Sequence, residues 1–259
     1  MSIHLYSKKD IENLREGGLI LSRTLGELAA RVHPGVTTAE LDALAEKLIR
    51  DVGGEPSFKG YGGGGGIKPF PGTVCTSLNH EVVHGMPVPS RTLKEGDLIK
   101  LDIGARYKGL CTDMAVSVPV GAVSRQALKL MATTRESLFA GVDVVKPGRK
   151  IVEIGRAVQR VVERDGFSVV RALVGHGVGK KVHEEPPVPN YDDPDMPKTA
   201  LRSGMVIAIE PMVNAGTWDV TLARDGWTFA TADRKLSAHF EMTIAVTDDG
   251  YEILTPLPI

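Results

Sequence analysis

The sequence predicts an α+β domain made of two similar halves, in which helix pairs back a central, mainly antiparallel sheet. A helix-Pro-Gly-helix-Gly unit occurs twice: Pro34-Gly35 and Gly53 recur 113 positions later as Pro147-Gly148 and Gly166. A strand-like segment follows each unit, Gly96-Asp-Leu-Ile-Lys-Leu-Asp102 and Gly204-Met-Val-Ile-Ala-Ile-Glu210, and the two correspond at an offset of 108. Each copy ends in a carboxylate on a strand that reads as buried, and a pseudo-twofold would bring Asp102 and Glu210 together. Two helices on one side of the strands in each unit favour a layered α+β architecture. The halves are expected at about 7–118 and 124–250, within a single domain.

Local signals justify each element. Ser7 with Asp10 resembles a capping box, and Ile11, Leu14, Leu21, Leu25, Leu28 and Val32 follow at helical spacing until His33-Pro34-Gly35. Thr37 with Glu40 is a second capping box, leading through Leu41, Leu44, Ala45 and Leu48 to Gly53-Gly54. Ser124 opens the third helix, broken at Pro147-Gly148, and Ile151 to Asp165 form the fourth before Gly166. The shortening of the offset from 113 to 108 assigns about five extra residues to the first half, where Gly62 to Gly66 sit. That run reads as a flexible loop insertion without a catalytic role. A phosphate cradle would need a following helix start and a Lys-Ser/Thr pair, and both are absent.

Composition narrows the function. A chain of 259 residues with 42% hydrophobic content can bury a substantial core without staples. A formal charge of −1 offers no global field for nucleic acid or an anionic membrane. Two cysteines, Cys75 and Cys111, argue against a disulfide framework and suit a reducing compartment. The N-terminus lacks an apolar signal region and no apolar run is long enough to span a bilayer, so a cytoplasmic protein is expected.

The residues that carry chemistry are acidic. Asp102 and Asp113 flank a turn at Arg106-Tyr-Lys-Gly109, which reads as a hairpin. With the turn centred between Tyr107 and Lys108 the two are direct cross-strand neighbours, and a centre on either residue is read as leaving them diagonal neighbours on one face. Like charges that close repel, so the pair is expected to share a cation or a proton. His176 sits between glycines in Gly175-His-Gly-Val-Gly179. Glu210 ends an apolar strand, where an unpaired carboxylate is costly, and Glu241 lies among strand formers. Taken singly, each has a bland reading as a solvated or satisfied polar residue. Together, four carboxylates and one imidazole suit two divalent ions in a dinuclear hydrolase site, which supplies an acidified water and stabilises an oxyanion. The set contains no thiolate, which disfavours structural zinc and suits Mn, Fe or Co at least as well as Zn.

These residues sit in motifs that strongly resemble type I methionine aminopeptidases over nearly the whole chain: Ser77-Leu-Asn-His-Glu-Val-Val-His-Gly-Met-Pro87, Leu101-Asp-Ile-Gly104, Thr112-Asp113, Gly175 to Gly179 with His183-Glu-Glu-Pro186, Ile209-Glu-Pro-Met-Val-Asn-Ala-Gly216, and Glu241-Met-Thr-Ile. The resemblance implies the pita-bread fold, whose internal pseudo-symmetry agrees with the repeat. It also implies removal of the initiator methionine from peptides and nascent proteins when the second residue is small. By the same resemblance, Asp102 binds one metal, Asp113 and Glu241 bridge both, and His176 with Glu210 bind the other. Glu210 shuttles a proton, His84 contacts the scissile amide, and His183 polarises its carbonyl or stabilises the oxyanion. The implied methionine pocket comprises Tyr61, Phe70, Cys75 and Trp227, with Phe58 nearby; without the resemblance, core packing is the better reading of these residues.

Two departures stand out: Val182, where many relatives have an aromatic residue, and the glycine insertion between Tyr61 and Phe70. Prolidase-type enzymes of the same fold commonly carry an additional N-terminal domain, for which the residues before the first helix leave no room. A metal-free binding module would be expected to lose ligands. The helical insertion and Cys/His-rich extension of type II enzymes are also absent. The resemblance further implies a monomer and suggests contact with the ribosome.

Overall fold

A computed structural model describes residues 3–195 and 199–258. Helices α1 (Lys8–Ala30) and α2 (Thr38–Asp51) precede strands β1 (Glu55–Pro56), β2 (Val74–Leu78), β3 (Glu81–Val83), β4 (Leu98–Tyr107) and β5 (Leu110–Pro119). Helices α3 (Arg125–Asp143) and α4 (Val152–Arg164) then precede β6 (Ser168–Val169), β7 (Gly175–Gly177), β8 (Glu184–Val188), β9 (Val206–Ile209) and β10 (Met212–Asn214). The chain finishes with β11 (Val220–Leu222), β12 (Phe229–Thr231), β13 (Ser237–His239), β14 (Glu241–Val246) and β15 (Tyr251–Ile253).

The helices begin where their caps require. Ser7 and Thr37 each accept the N–H of the residue three positions on, and the acidic side chain there accepts the cap's own N–H. Ser124 caps α3 through Ala127 N–H alone, because its third residue carries no carboxylate. Helix α4 has no side-chain cap at Ile151; instead the Glu153 carboxylate accepts from Lys150 N–H at 2.8 Å. On α1, Leu21, Leu25 and Leu28 are fully buried against Leu41, Ala45 and Ile49 of α2 and the sheet behind them. Each such side chain contributes roughly 1.5–3 kcal/mol by leaving water.

One large antiparallel sheet runs in the order β1-β4-β5-β14-β9-β7-β8, with β2 also on β4 and β15 also on β14. Two small sheets, β13-β10-β6 and β11-β12-β3, flank it. The four central strands alternate with period two. Leu101, Ile103, Met114, Val116, Ile207, Ile209, Met242 and Ile244 face the main hydrophobic core. The intervening residues, among them Asp102, Gly104, Asp113, Ala115, Ala208, Glu241 and Thr243, occupy the opposite face. The sheet therefore buries both surfaces, one against helices and one against a polar centre.

The β4–β5 hairpin corrects the expected register. Tyr107 pairs with Leu110, so the turn is centred between Lys108 and Gly109, one residue later than expected. Both turn residues have positive φ, 49° and 80°, as a two-residue type I′ turn requires, and glycine at the second position supplies it without strain. Asp113 consequently faces Gly104, while Asp102 faces Ala115. The two aspartates are diagonal neighbours on one face rather than direct partners. A turn centred on Tyr107 or Lys108 would put them on opposite faces, contrary to the expectation above.

No helix among the described residues is long and apolar enough to cross a membrane.

Candidate active site

Two adjacent rows across the sheet assemble the acidic centre. In the first, Asp102 of β4 faces Ala115 of β5, which faces Glu241 of β14. Ile209 pairs with Met242, so Glu210, the next residue along, runs on beside Glu241. In the second row, Gly104 faces Asp113, whose backbone exchanges hydrogen bonds with Thr243 Oγ1 at 3.0 and 2.8 Å. Thr243 faces Ala208, and continuing one residue from the Gly177–Ile207 pair sets His176 beside Ala208. Glycine, alanine and threonine between the functional groups leave room above the sheet. Asp113, His176 and Glu241 each present a ligand atom within 4.8 Å of one another, the one such group among the described residues. Asp102 and Glu210 adjoin that group through the first row.

Burial sets the electrostatics of this centre. It raises Glu241 well above the usual carboxylate range, reinforced by Asp113, Glu210 and Asp102. Asp113 is likewise pushed well up by burial, then by Asp102 and Glu210. Burial takes Asp102 to about 7 and Glu210 to about 8. Four carboxyls this close cannot all ionise without a compensating cation. Glu241 Oε1 is buried with no hydrogen-bond partner among the described residues. The imidazole is prepared in the same sense. His176 Nδ1 is 2.9 Å from Gly177 O, which holds the proton there and leaves the Nε2 lone pair free, 3.4 Å from Glu210 Oε1. Burial depresses His176 to about 3, so the ring is neutral. The Cys75 thiol, raised well above its ordinary value by burial, hydrogen-bonds Asp102 and stays protonated. The donors on offer are oxygens and one imidazole, a set that fits a divalent cation.

All the expected pocket residues line the same cavity. Phe58, Tyr61, Phe70, Cys75 and Trp227 share it with His84, His183 and the five residues of the acidic centre. The Tyr61 hydroxyl is 2.7 Å from His183 Nδ1, and the His183 ring meets the His176 ring edge-on at 4.4 Å. His84 adopts φ 59° just past β3, and its ring hydrogen-bonds the Trp227 backbone. A Cβ on the next residue, Gly85, would lie 2.6 Å from Thr76 O, so only glycine lets this turn sit against β2. Burial depresses His84 to about 4. Gly104 likewise makes way for Phe58, whose Cε1 would be 2.7 Å from an added Cβ. Val182, one departure from the resemblance, is buried in the cluster that holds Phe58, Phe70 and Cys75.

Sequence reasoning passed over two buried groups. His239 Nε2 lies 3.6 Å from Glu210 Oε2, too far for a hydrogen bond, and neither ring nitrogen has a hydrogen-bond partner among the described residues. Lys100 is 1% exposed; its ammonium donates to Asn79 O at 2.9 Å, and burial lowers it to about 7. The signal for Lys100 was its place two residues before Asp102, hence on the same strand face. Leu173 and Met212 also line the cavity, and nothing local in the sequence marks them.

A family model for metallopeptidase family M24 matches residues 12–248. Methionine aminopeptidase 1 of Bacillus subtilis is 47% identical over 247 residues, covering 95% of this chain and 96% of its own. The chain belongs to the M24 metallopeptidases, among the methionine aminopeptidases. Solved structures of two other M24 members, the methionine aminopeptidases of Rickettsia prowazekii and Thermotoga maritima, superpose on this M24 chain with TM-scores of 0.93 at 37% and 39% identity. They cover 98% of this chain, and it covers 100% and 99% of theirs. The pita-bread fold is thereby established. A prolidase from Pyrococcus furiosus shares that M24 fold at TM-score 0.76, with 23% identity and 65% of its length covered.

Proposed function

We propose that this chain releases N-terminal methionine from peptides and nascent proteins whose second residue is small. The observation that carries the reading is the convergence of Asp113, His176 and Glu241 on one point, beside Asp102 and Glu210, at the floor of a mostly apolar cavity. Asp102, Asp113, His176, Glu210 and Glu241 are the residues that would hold two divalent ions, Mn, Fe, Co or Zn. Such ions supply a nucleophilic water at neutral pH and Lewis acidity toward a carbonyl oxygen.

The chain's own groups do the rest. Glu210 takes the proton of the attacking water and delivers it to the departing amine. We assign the Tyr61 hydroxyl, 2.7 Å from His183 Nδ1, as the donor of that bond, which leaves Nε2–H as a donor toward the scissile carbonyl oxygen. His84, kept neutral by burial, contacts the scissile amide. Tyr61, Phe70, Cys75 and Trp227, with Phe58, enclose the methionine side chain, and the rings exclude water from the reacting bond. The enzyme is read as one cytoplasmic domain with duplicated halves, monomeric and acting near the ribosome.

Release of free methionine from Met-Gly-Met-Met and Met-Leu-Met-Met by chelator-stripped protein, alone and with added Mn, Fe, Co or Zn, tests this. Metal-restored cleavage of the glycine peptide with little of the leucine peptide is expected. No cleavage with any metal would favour a binding module, and cleavage confined to Xaa-Pro bonds would favour the prolidase branch.

A further inference from the structure

The glycine run is more than a surface loop. At its base, Gly60 N–H donates to Phe70 O at 2.8 Å and Phe70 N–H donates to Tyr61 O at 2.9 Å. At its tip, Gly64 and Ile67 exchange hydrogen bonds of 3.0 and 2.9 Å. Residues 62–69 are therefore a flap that begins and ends at two pocket rings. Its flank rests on a third: Trp227 Nε1–H donates to Lys68 O at 2.9 Å. A Cβ built on Gly62 would lie 2.7 Å from the Trp227 ring, and one built on Gly226 would lie 3.2 Å from Ile67. The Phe70 and Trp227 rings also meet in a T-shaped contact with their centroids 5.5 Å apart. The flap ties Tyr61, Phe70 and Trp227 into one wall.

We infer that the flap at 62–69 determines which N-terminal side chain the pocket accepts, by holding the Trp227 indole against Phe70, with Gly62 as the point of contact. This rests on the aminopeptidase reading and adds to it a specificity determinant peculiar to the insertion. A wall made by a tethered indole has a definite position, so the cavity discriminates by side-chain shape rather than by hydrophobicity alone. Gly62 matters because its missing Cβ is the space the indole occupies.

The flap contains its own control. Gly62 and Gly65 have similar left-handed backbones, φ 65° and 57°, so alanine costs much the same strain at either. Nothing lies within 4 Å of a Cβ on Gly65. The two substitutions differ only in whether they strike the indole.

Steady-state kinetics on Met-Gly-Met-Met and Leu-Gly-Met-Met, with the metal-loaded full chain, tests the inference. Gly62→Ala should raise KM for the methionine peptide about tenfold and lower kcat by less than that, because the altered contact is to the substrate side chain and not to the reacting atoms. The preference for methionine over leucine should narrow with it. Gly65→Ala should match the wild type. Trp227→Phe, which removes the tether to Lys68, should move KM and preference in the same direction as Gly62→Ala, and it decides the matter if Gly62→Ala proves unfolded by circular dichroism. An active wild type in which Gly62→Ala and Gly65→Ala behave alike, or in which the preference does not move, would overturn the role of the flap alone. A wild type that releases no methionine overturns the aminopeptidase reading and the flap with it.

Discussion

The floor and the rim of the cavity are built on opposite principles. The floor consists of titratable groups on regular strands or, for Glu210, at the end of one, held in two rows by hydrogen-bonded register. The rim consists of rings on loops, tied by a few contacts between residues distant in sequence, such as Trp227 and Lys68. A sheet places a side chain to within the tolerance of its backbone ladder, which suits chemistry. Loops place one less rigidly but vary freely, which suits recognition. The floor is also costly to fold, since burial raises all four carboxyls, whereas the rim buries apolar surface and stabilises the fold. The contrast can be broken at either end.

The largest effect should follow from the floor. Glu241→Gln removes one of the three groups that converge on the proposed metal site, and kcat/KM should fall by roughly a thousandfold or more, equivalent to about 4 kcal/mol of barrier. Elemental analysis should show reduced metal content in a chain whose circular dichroism is native. Activity within tenfold of wild type would separate Glu241 from the chemistry. Next, Glu210→Gln should fold normally and lose on the order of 100- to 1000-fold in kcat, the scale of a general acid–base group. A near-normal rate would take Glu210 out of the proton shuttle.

The cost of the floor should be visible as pH dependence. Asp102 at about 7 and Glu210 at about 8 stand above their ordinary values of 3.8 and 4.5. A carboxyl raised on folding stabilises fully below its unfolded pKa and loses that contribution as pH rises through its folded pKa. Melting of metal-free protein should therefore move to lower temperature between pH 5 and pH 8 (~3 units of titration), by an equivalent of a few kcal/mol. Added Mn should restore stability most at the alkaline end. A metal-free melting temperature that rises over that range would refute the account. The smallest effect belongs to the rim: Tyr61→Phe removes the hydroxyl at His183 and should lower kcat about tenfold, the worth of one hydrogen bond, with melting unchanged. If melting falls as well, Tyr61 is a structural residue first.

Legibility in the sequence follows the same division. Ser7, Thr37 and Ser124 announce their helices because a cap is a local event, three residues wide. The acidic residues were legible because charge among strand formers is conspicuous, and the motif resemblance named the histidines and the rings. The hairpin centre was misplaced by one residue, although Lys108-Gly109 carried the type I′ signal in its glycine. His239 escaped because its neighbourhood is made by strand order: β13 belongs to a flanking sheet, and Ser117 of β5 donates to its carbonyl across 122 positions. The flap's grip on Trp227 spans 159 positions and leaves no local trace.

The Lys108-Gly109 turn has a consequence for how this chain can change over generations. An exposed two-residue turn normally tolerates added length at little cost. Here one extra or missing residue, unless absorbed by a bulge, would rotate β5 by half a pleat and exchange the faces of Asp113 and Met114, burying a carboxylate in the apolar core. Changes in the length of this turn must therefore keep its parity, so a stretch that lines no part of the cavity still sets which face of the sheet the acids occupy.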